Sequence, residues 1–157
     1  MDFVIRKGKK ADCSRTLELI HELAEYEKAP EEVTISLKEL EEDGFGENSI
    51  YKLVVAEQMG EIIGVAIFYE KYSTWKGKCT YLEDLIVTKL KRGMGAGKAL
   101  FEEVIRFSKE NKSGRMEWQV LDWNAPAIDF YKTYQAELDG AWYNGRFTKK
   151  QLQNINL

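Results

Sequence analysis

Lys91-Arg92-Gly93-Met94-Gly95-Ala96-Gly97-Lys98 decides how the rest of this chain is read. It lies between a β-branched run ending at Val87 and an amphipathic run carrying Leu100, Phe101, Val104 and Ile105. Three glycines in five residues are costly at the start of a helix unless bare backbone is needed there. Free N–H groups at a helix N-terminus, the positive end of its dipole, make an anion site, and Arg92 and Lys98 add charge at its rim. A diphosphate fits such a site. Spacing excludes two familiar diphosphate loops. A Walker A loop has glycine five positions before its Gly-Lys and Ser or Thr after it, where this chain has Arg92 and Ala99. The fingerprint GxGxxG fails too, because these glycines run GxGxG and do not follow the first strand. A glycine-rich turn that only opens a helix stays open as the plainer reading.

Outward from the loop, the chain alternates strand and helix signals. Phe3, Val4 and Ile5 predict an opening strand. Over residues 12–27, Leu17, Ile20, Leu23 and Ala24 recur at helical steps. Ser36 and Glu39 form a capping box for a short second helix that ends at Asp43-Gly44-Phe45-Gly46. Residues 51–57, 62–72 and 78–87 read as strands joined by short turns. A helix to about residue 109, a strand over 116–121 and a helix over 125–134 follow, then a strand pair around 137–139 and 142–148. The order β-α-α-β-β-β-α-β-α-β(-β) predicts an α/β fold with a mixed, mostly antiparallel sheet and helices on both faces. With no repeat and no break in composition, one domain over residues 1–157 is expected.

Two further features carry chemistry. Tyr81-Leu82-Glu83-Asp84-Leu85-Ile86-Val87 puts two carboxylates inside an apolar strand, where Glu and Asp are disfavoured. Alternation sends them to opposite faces, so one of them would line a polar cleft, unless both serve structural ion pairs. Leu121-Asp122-Trp123-Asn124-Ala125-Pro126 leaves a strand and opens a helix, with Asn124 as N-cap and Pro126 in the first turn. Tyr131 follows about two turns later, and on the helix alone it reads as a core aromatic.

Composition narrows the function classes. Net charge is −3, which disfavours a nucleic-acid binder and suits a cationic substrate. Residues 62–69, the longest nearly apolar stretch, are too few to span a bilayer, which takes about 20. The opening MDFVIRKGKK has no signal-peptide core. One histidine, His21, and two cysteines without CxxC or CxxH spacing leave no set of His/Cys metal ligands, so no metal is expected. Cys13 and Cys79 read as packing residues, and the setting is expected to be cytoplasmic.

Arg92-Gly93-Met94-Gly95-Ala96-Gly97 matches the R-x-x-G-x-G pattern of the GNAT acetyltransferases, and the element order resembles their fold. Over nearly the whole chain the resemblance is narrower. Residues 22–28, Asp43-Gly44-Phe45-Gly46, Tyr81-Leu82-Glu83-Asp84 and Trp123-Asn124 are similar to the spermidine/spermine N-acetyltransferase family. Ser73-Thr74-Trp75-Lys76-Gly77 and Leu121-Asp122-Trp123-Asn124 resemble its thialysine branch. Gly140-Ala141-Trp142 stands where the family has Glu-Gly-Trp, and Gln135 where it has glycine, which weakens the case for polyamine as main substrate.

This resemblance implies acetyl-CoA as cosubstrate, a small cationic amine as acceptor and a homodimer. It implies that Leu85, Ile86 and Val87 pair with the pantetheine arm and that Arg92, Gly93, Met94, Gly95, Ala96, Gly97 and Lys98 hold the diphosphate. Asn124, Ala125, Pro126, Ala127 and Tyr131 would also meet the cofactor. Tyr131 would be the general acid and Glu83 the base, while Tyr26, Glu27, Ser73, Thr74, Trp75, Glu83, Asp84, Leu121 and Asp122 would lie on the acceptor side. A polyamine or diamine acetyltransferase, then a protein-lysine acetyltransferase, and from another class a silent acyl-CoA-binding or sensing domain on the same fold, remain the alternatives.

Overall fold

The computed structural model describes residues 2–157. Its contacts divide the chain into two compact units, Met1–Gln119 and Val120–Leu157.

In the larger unit, the opening strand β1 (Val4–Lys7) leads into α1 (Cys13–Tyr26). The next helix, α2 (Leu37–Phe45), begins as expected: the Ser36 hydroxyl accepts from the Glu39 N–H (3.1 Å) and the Glu39 carboxylate from the Ser36 N–H (2.7 Å). Strands β2 (Lys52–Gln58), β3 (Glu61–Ser73) and β4 (Gly77–Val87) form an antiparallel meander, followed by α3 (Ala96–Glu110) and β5 (Met116–Trp118). The five strands lie in chain order, antiparallel except for the parallel pair β4–β5. β5 is shorter than its sequence suggests, and its pairing stops at Leu82–Trp118.

Strand alternation separates two apolar layers. Leu53, Val55, Val65, Ile67 and Ile86 cluster with Leu19 of α1, and Phe45 of α2 packs against them. On the opposite face, Phe68 meets Phe107 of α3 with ring centroids 5.0 Å apart. Leu100, Phe101 and Val104 of the same helix are fully buried. Helices therefore cover both faces, α1 and α2 on one and α3 on the other.

One irregularity changes the reading of β4. Ile67 pairs with Asp84, but its neighbour Phe68 pairs with Leu82, so Glu83 is an extra residue in β4. This β-bulge breaks the alternation that would have sent Glu83 and Asp84 to opposite faces. Tyr69 faces the α1 side like Ile67, and its hydroxyl donates to Glu83 (2.9 Å). Asp84, opposite Ile67, points to the same side. Both carboxylates therefore share one face.

In the smaller unit, α4 (Ala125–Lys132) starts at Asn124, whose side chain accepts from the Ala127 N–H (3.3 Å). The expected strand pair around 137–139 and 142–148 does not form; α5 (Lys149–Asn154) closes the chain instead. The Asp139 carboxylate accepts from the Ala141 N–H (2.9 Å) and from the Trp142 indole (3.0 Å), a local turn that competes with hairpin pairing. Thr148 is not a strand end but an N-cap, in a capping box with Gln151.

The end of α4 carries local strain. Ala136 N–H bonds to the Tyr131 carbonyl (3.3 Å), the six-to-one bond of a Schellman turn, and Gln135 adopts φ +57°. Glycine tolerates that conformation without a Cβ penalty. Gln135→Gly is expected to raise stability by about 0.5–1 kcal/mol, read as a higher denaturant midpoint at unchanged slope.

Candidate active site

The glycine loop owes its shape to backbone conformation. Gly93 and Gly95 have φ of +81° and +90°, and a Cβ on either would meet nothing within 4 Å. Glycine is therefore needed for the left-handed turns and not for close packing. Gly95 is the N-cap of α3 and no side chain caps the helix, so its first N–H groups are left without a side-chain partner, an arrangement that suits an anion. A Cβ added at Gly97 would come 3.6 Å from the Val87 side chain, so the loop passes close to the end of β4 without needing glycine there for space. Lys98, largely exposed, stands 3.9 Å from Glu102. This is a cradle that fits a diphosphate.

Arg92 is engaged elsewhere. Its Nε donates to the Val87 carbonyl (2.9 Å), and its guanidinium lies 5.3 Å from the centre of the Tyr26 ring and 4.0 Å from Glu22. The Glu22 carboxylate also accepts from the Thr88 hydroxyl (2.9 Å) and the Lys89 N–H (2.8 Å). Helix α1 thus holds the start of the loop through one half-buried carboxylate. Glu22 lies beside the apolar stripe of α1 and 66 residues from Thr88, a pairing that local sequence patterns do not signal.

Four residues further back along β4, the bulge gathers acidic groups. Burial pushes the Asp84 carboxyl up to about 7, helped by the charges of Glu83 and then Glu27. Burial also raises Glu27, at the C-terminal end of α1. The Tyr69 phenol is pushed up by burial and by its hydrogen bond to Glu83. Tyr81, stacked 5.4 Å from Tyr69, is likewise raised by burial and by Glu83. A neighbouring cation would relieve this crowding of negative charge. Because β5 pairs only as far as Leu82, the β4 edge at Leu85, Ile86 and Val87 lies outside that ladder and can bond an extended arm.

Other expected positions fall differently. The Ser73 hydroxyl accepts from the Trp75 and Lys76 N–H groups (3.2 and 3.1 Å) and from Arg115 (3.3 Å), which makes it a turn-former. Ser73, Thr74 and Trp75 sit at the β3–β4 turn, six residues from Glu83 and so roughly 20 Å along the strand. Within this chain they are not brought to the carboxylates. Leu121, Asp122, Asn124, Ala125, Pro126, Ala127 and Tyr131 belong to the smaller unit, where Leu121 and Asp122 are exposed and Tyr131 is buried. Cys13 and Cys79 are buried thiols, and His21 is exposed on α1. Among the described residues, no three His, Cys, Asp or Glu side chains are grouped to hold a metal ion, and no helix is long and apolar enough to cross a membrane.

The sequence pattern of the Acetyltransferase (GNAT) family matches residues 15–134. The chain belongs to the GNAT acetyltransferase family. Among its GNAT relatives, the thialysine N-epsilon-acetyltransferase of Bos taurus is 39% identical over 99% of this chain and 98% of its own length. Spermidine/spermine N(1)-acetyltransferase-like protein 1 of Homo sapiens is 31% identical over 98% of this chain but only 24% of its own length. In structure, an integron cassette protein from the mobile metagenome of V. cholerae superposes with a TM-score of 0.78 over 98% of this chain and 96% of that one, at 24% identity. An aminoglycoside acetyltransferase from an uncultured soil metagenomic sample gives 0.76 over 94% and 97%, at 18% identity. Those two likenesses show the fold. This GNAT protein is an N-acetyltransferase acting on an amine.

The carboxylate cluster predicts a pH signature. Asp84 titrates near 7 in the folded chain and near 3.8 unfolded, so folding holds its proton. Its stabilising share is full below about pH 4 and is lost as pH rises through about 7. Asp84→Asn removes that loss, which accumulates at about 1.4 kcal/mol per pH interval of one between those two values. The variant should gain on the native protein at pH 8 and show little difference at pH 4, read from denaturant unfolding at both values.

Proposed function

We propose that the chain is one catalytic domain that uses acetyl-CoA to acetylate thialysine or a similar lysine-like primary amine by direct attack. The observation that carries this reading is the convergence of Glu27, Glu83 and Asp84 on one sheet face, a short run of β4 away from an uncapped helix N-terminus. The first feature suits a cationic amine and the second suits the diphosphate of coenzyme A.

The acceptor presents the main difficulty. A primary amine with pKa about 10.4 is neutral in roughly one molecule in 2,500 at pH 7, so freeing it costs roughly 4.6 kcal/mol before attack. Carboxylates bind the ammonium but also strengthen its hold on the proton. The pair on β4 divides these tasks. Asp84, half-buried, surrenders its own proton when a cation arrives and then holds that cation. Glu83, exposed and fixed by the Tyr69 hydroxyl, takes the ammonium proton through water and passes it to solvent. Once that first N–H bond has broken, the nitrogen lone pair forms the new C–N bond and the C–S bond breaks; the second proton the nitrogen then carries leaves to solvent, from which Tyr131 recovers the proton it gives up. Tyr131, as general acid, gives its proton to the departing sulfur. A backbone N–H of β4 stabilises the oxyanion between these steps. No covalent bond to the enzyme forms, in keeping with the burial of Cys13 and Cys79.

The same reading extends to assembly and setting. Trp142, Tyr143 and Phe147 are exposed in the smaller unit, which supports a homodimer that covers them. The protein acts in the cytoplasm, binds no nucleic acid and uses no metal.

An acetyl-CoA-dependent thiol-release assay over thialysine, lysine, ornithine, spermidine, spermine, putrescine and a basic peptide tests the assignment. Fast turnover of thialysine with slow turnover of spermidine is expected. Preference for spermidine would move the assignment to polyamines, and tight acetyl-CoA binding without turnover would mark a binding domain. Tyr131→Phe should lower kcat by about a hundredfold or more while leaving acetyl-CoA affinity nearly unchanged. Unchanged kcat removes the acid role.

A further inference from the structure

The Asp43-Gly44-Phe45-Gly46 stretch does more than end a helix. A cavity of about 380 Å³ opens in the larger unit, and Asp43 and Glu83 both line it. The rest of its wall is made by Ile35, Leu40, Ile50 and Ile67 together with Tyr51 and Tyr69. Neither Lys nor Arg is among the lining residues.

Asp43 stands on a fixed support. Its carbonyl accepts from the Ile50 N–H (2.8 Å), and the Gly44 carbonyl accepts from the Ser49 hydroxyl (2.8 Å). A side chain at position 44 would run into the Tyr51 ring, so glycine lets that ring close in while the Tyr51 hydroxyl bonds to the Leu40 carbonyl. The position is electrostatically unfavourable for the helix itself. Asp43 lies in the last turn of α2, at the negative end of the helix dipole, and no basic residue occupies that turn. A carboxylate placed against helix stability, on a hydrogen-bonded turn at the edge of a mostly apolar cavity, is available to a cation from outside.

We propose that Asp43 determines acceptor specificity by binding a second cationic group of the amine whose reacting nitrogen lies at Glu83. The occupant is an aliphatic chain with ammonium groups at two points, its methylenes against the four aliphatic side chains. This rests on the acetyltransferase reading above. Because the lining residues provide no cation, an acceptor's carboxylate gains nothing in the cavity.

Cadaverine and pentylamine have equal chain lengths and differ by one ammonium, so they isolate the effect. In the native protein, kcat/KM for cadaverine should exceed that for pentylamine, and Asp43→Asn should reduce this ratio about three- to tenfold. Calorimetric binding of the two amines without acetyl-CoA should show the same loss of preference. Asp43→Asn is nearly isosteric, and Asp43→Glu, which keeps the charge, should retain most of the preference. An unchanged ratio in Asp43→Asn with normal turnover overturns the proposal and leaves the activity standing. Diamine-selective binding that Asp43→Asn abolishes, without turnover of any amine, would retain the cation site and reject the acetyl-transfer assignment.

Discussion

A single extra residue in β4, set against the unbroken alternation of β3, is the constraint on which the site depends. Without the bulge, Glu83 and Asp84 would face opposite layers, and one would be driven toward the apolar contacts of α3. With it, both carboxylates lie on the α1 side, where Glu27 and Tyr69 also meet them. Crowding like charges costs free energy, and the elevated Asp84 carboxyl reflects that cost together with its burial. The same bulge coincides with the end of β4–β5 pairing at Leu82, so the acidic cluster and the unladdered edge arise at one point in the strand.

The fold was legible where its causes are local. The capping box at Ser36 and Glu39, the N-cap at Asn124, the helical spacing in α1 and the β-branched runs of the meander all depend on neighbours within a turn or two. Strand character at 142–148 is overstated when aromatic composition is weighed above turn chemistry. Asp139 builds a side-chain turn, and Thr148 with Gln151 is a readable capping box that marks a helix start instead.

The site was legible in residue type more than in arrangement. Glu83 and Asp84 stood out as carboxylates in an apolar strand, but their shared face depends on register with β3, which no window along β4 contains. Glu22 reaches residues 88 and 89 across the fold, and Asp43 acquires its cavity only when Ile50, Ile67 and Glu83 come together. Each is a long-range consequence of packing. The glycine loop was legible because φ above zero restricts residue choice at the position itself.

Arg92 turned toward α1 has an evolutionary consequence. Its guanidinium serves the Val87 carbonyl, Tyr26 and Glu22, so the anion cradle depends chiefly on peptide N–H groups. Those groups are present whatever side chain other than proline a codon specifies, so apart from proline only loss of the loop's shape removes them. The acceptor face proposed above rests on Glu27, Asp43, Glu83 and Asp84, each a single codon change from a different charge. On that proposal inherited variation is filtered unevenly: the grip on a shared cosubstrate is buffered, while the choice of amine is free to drift.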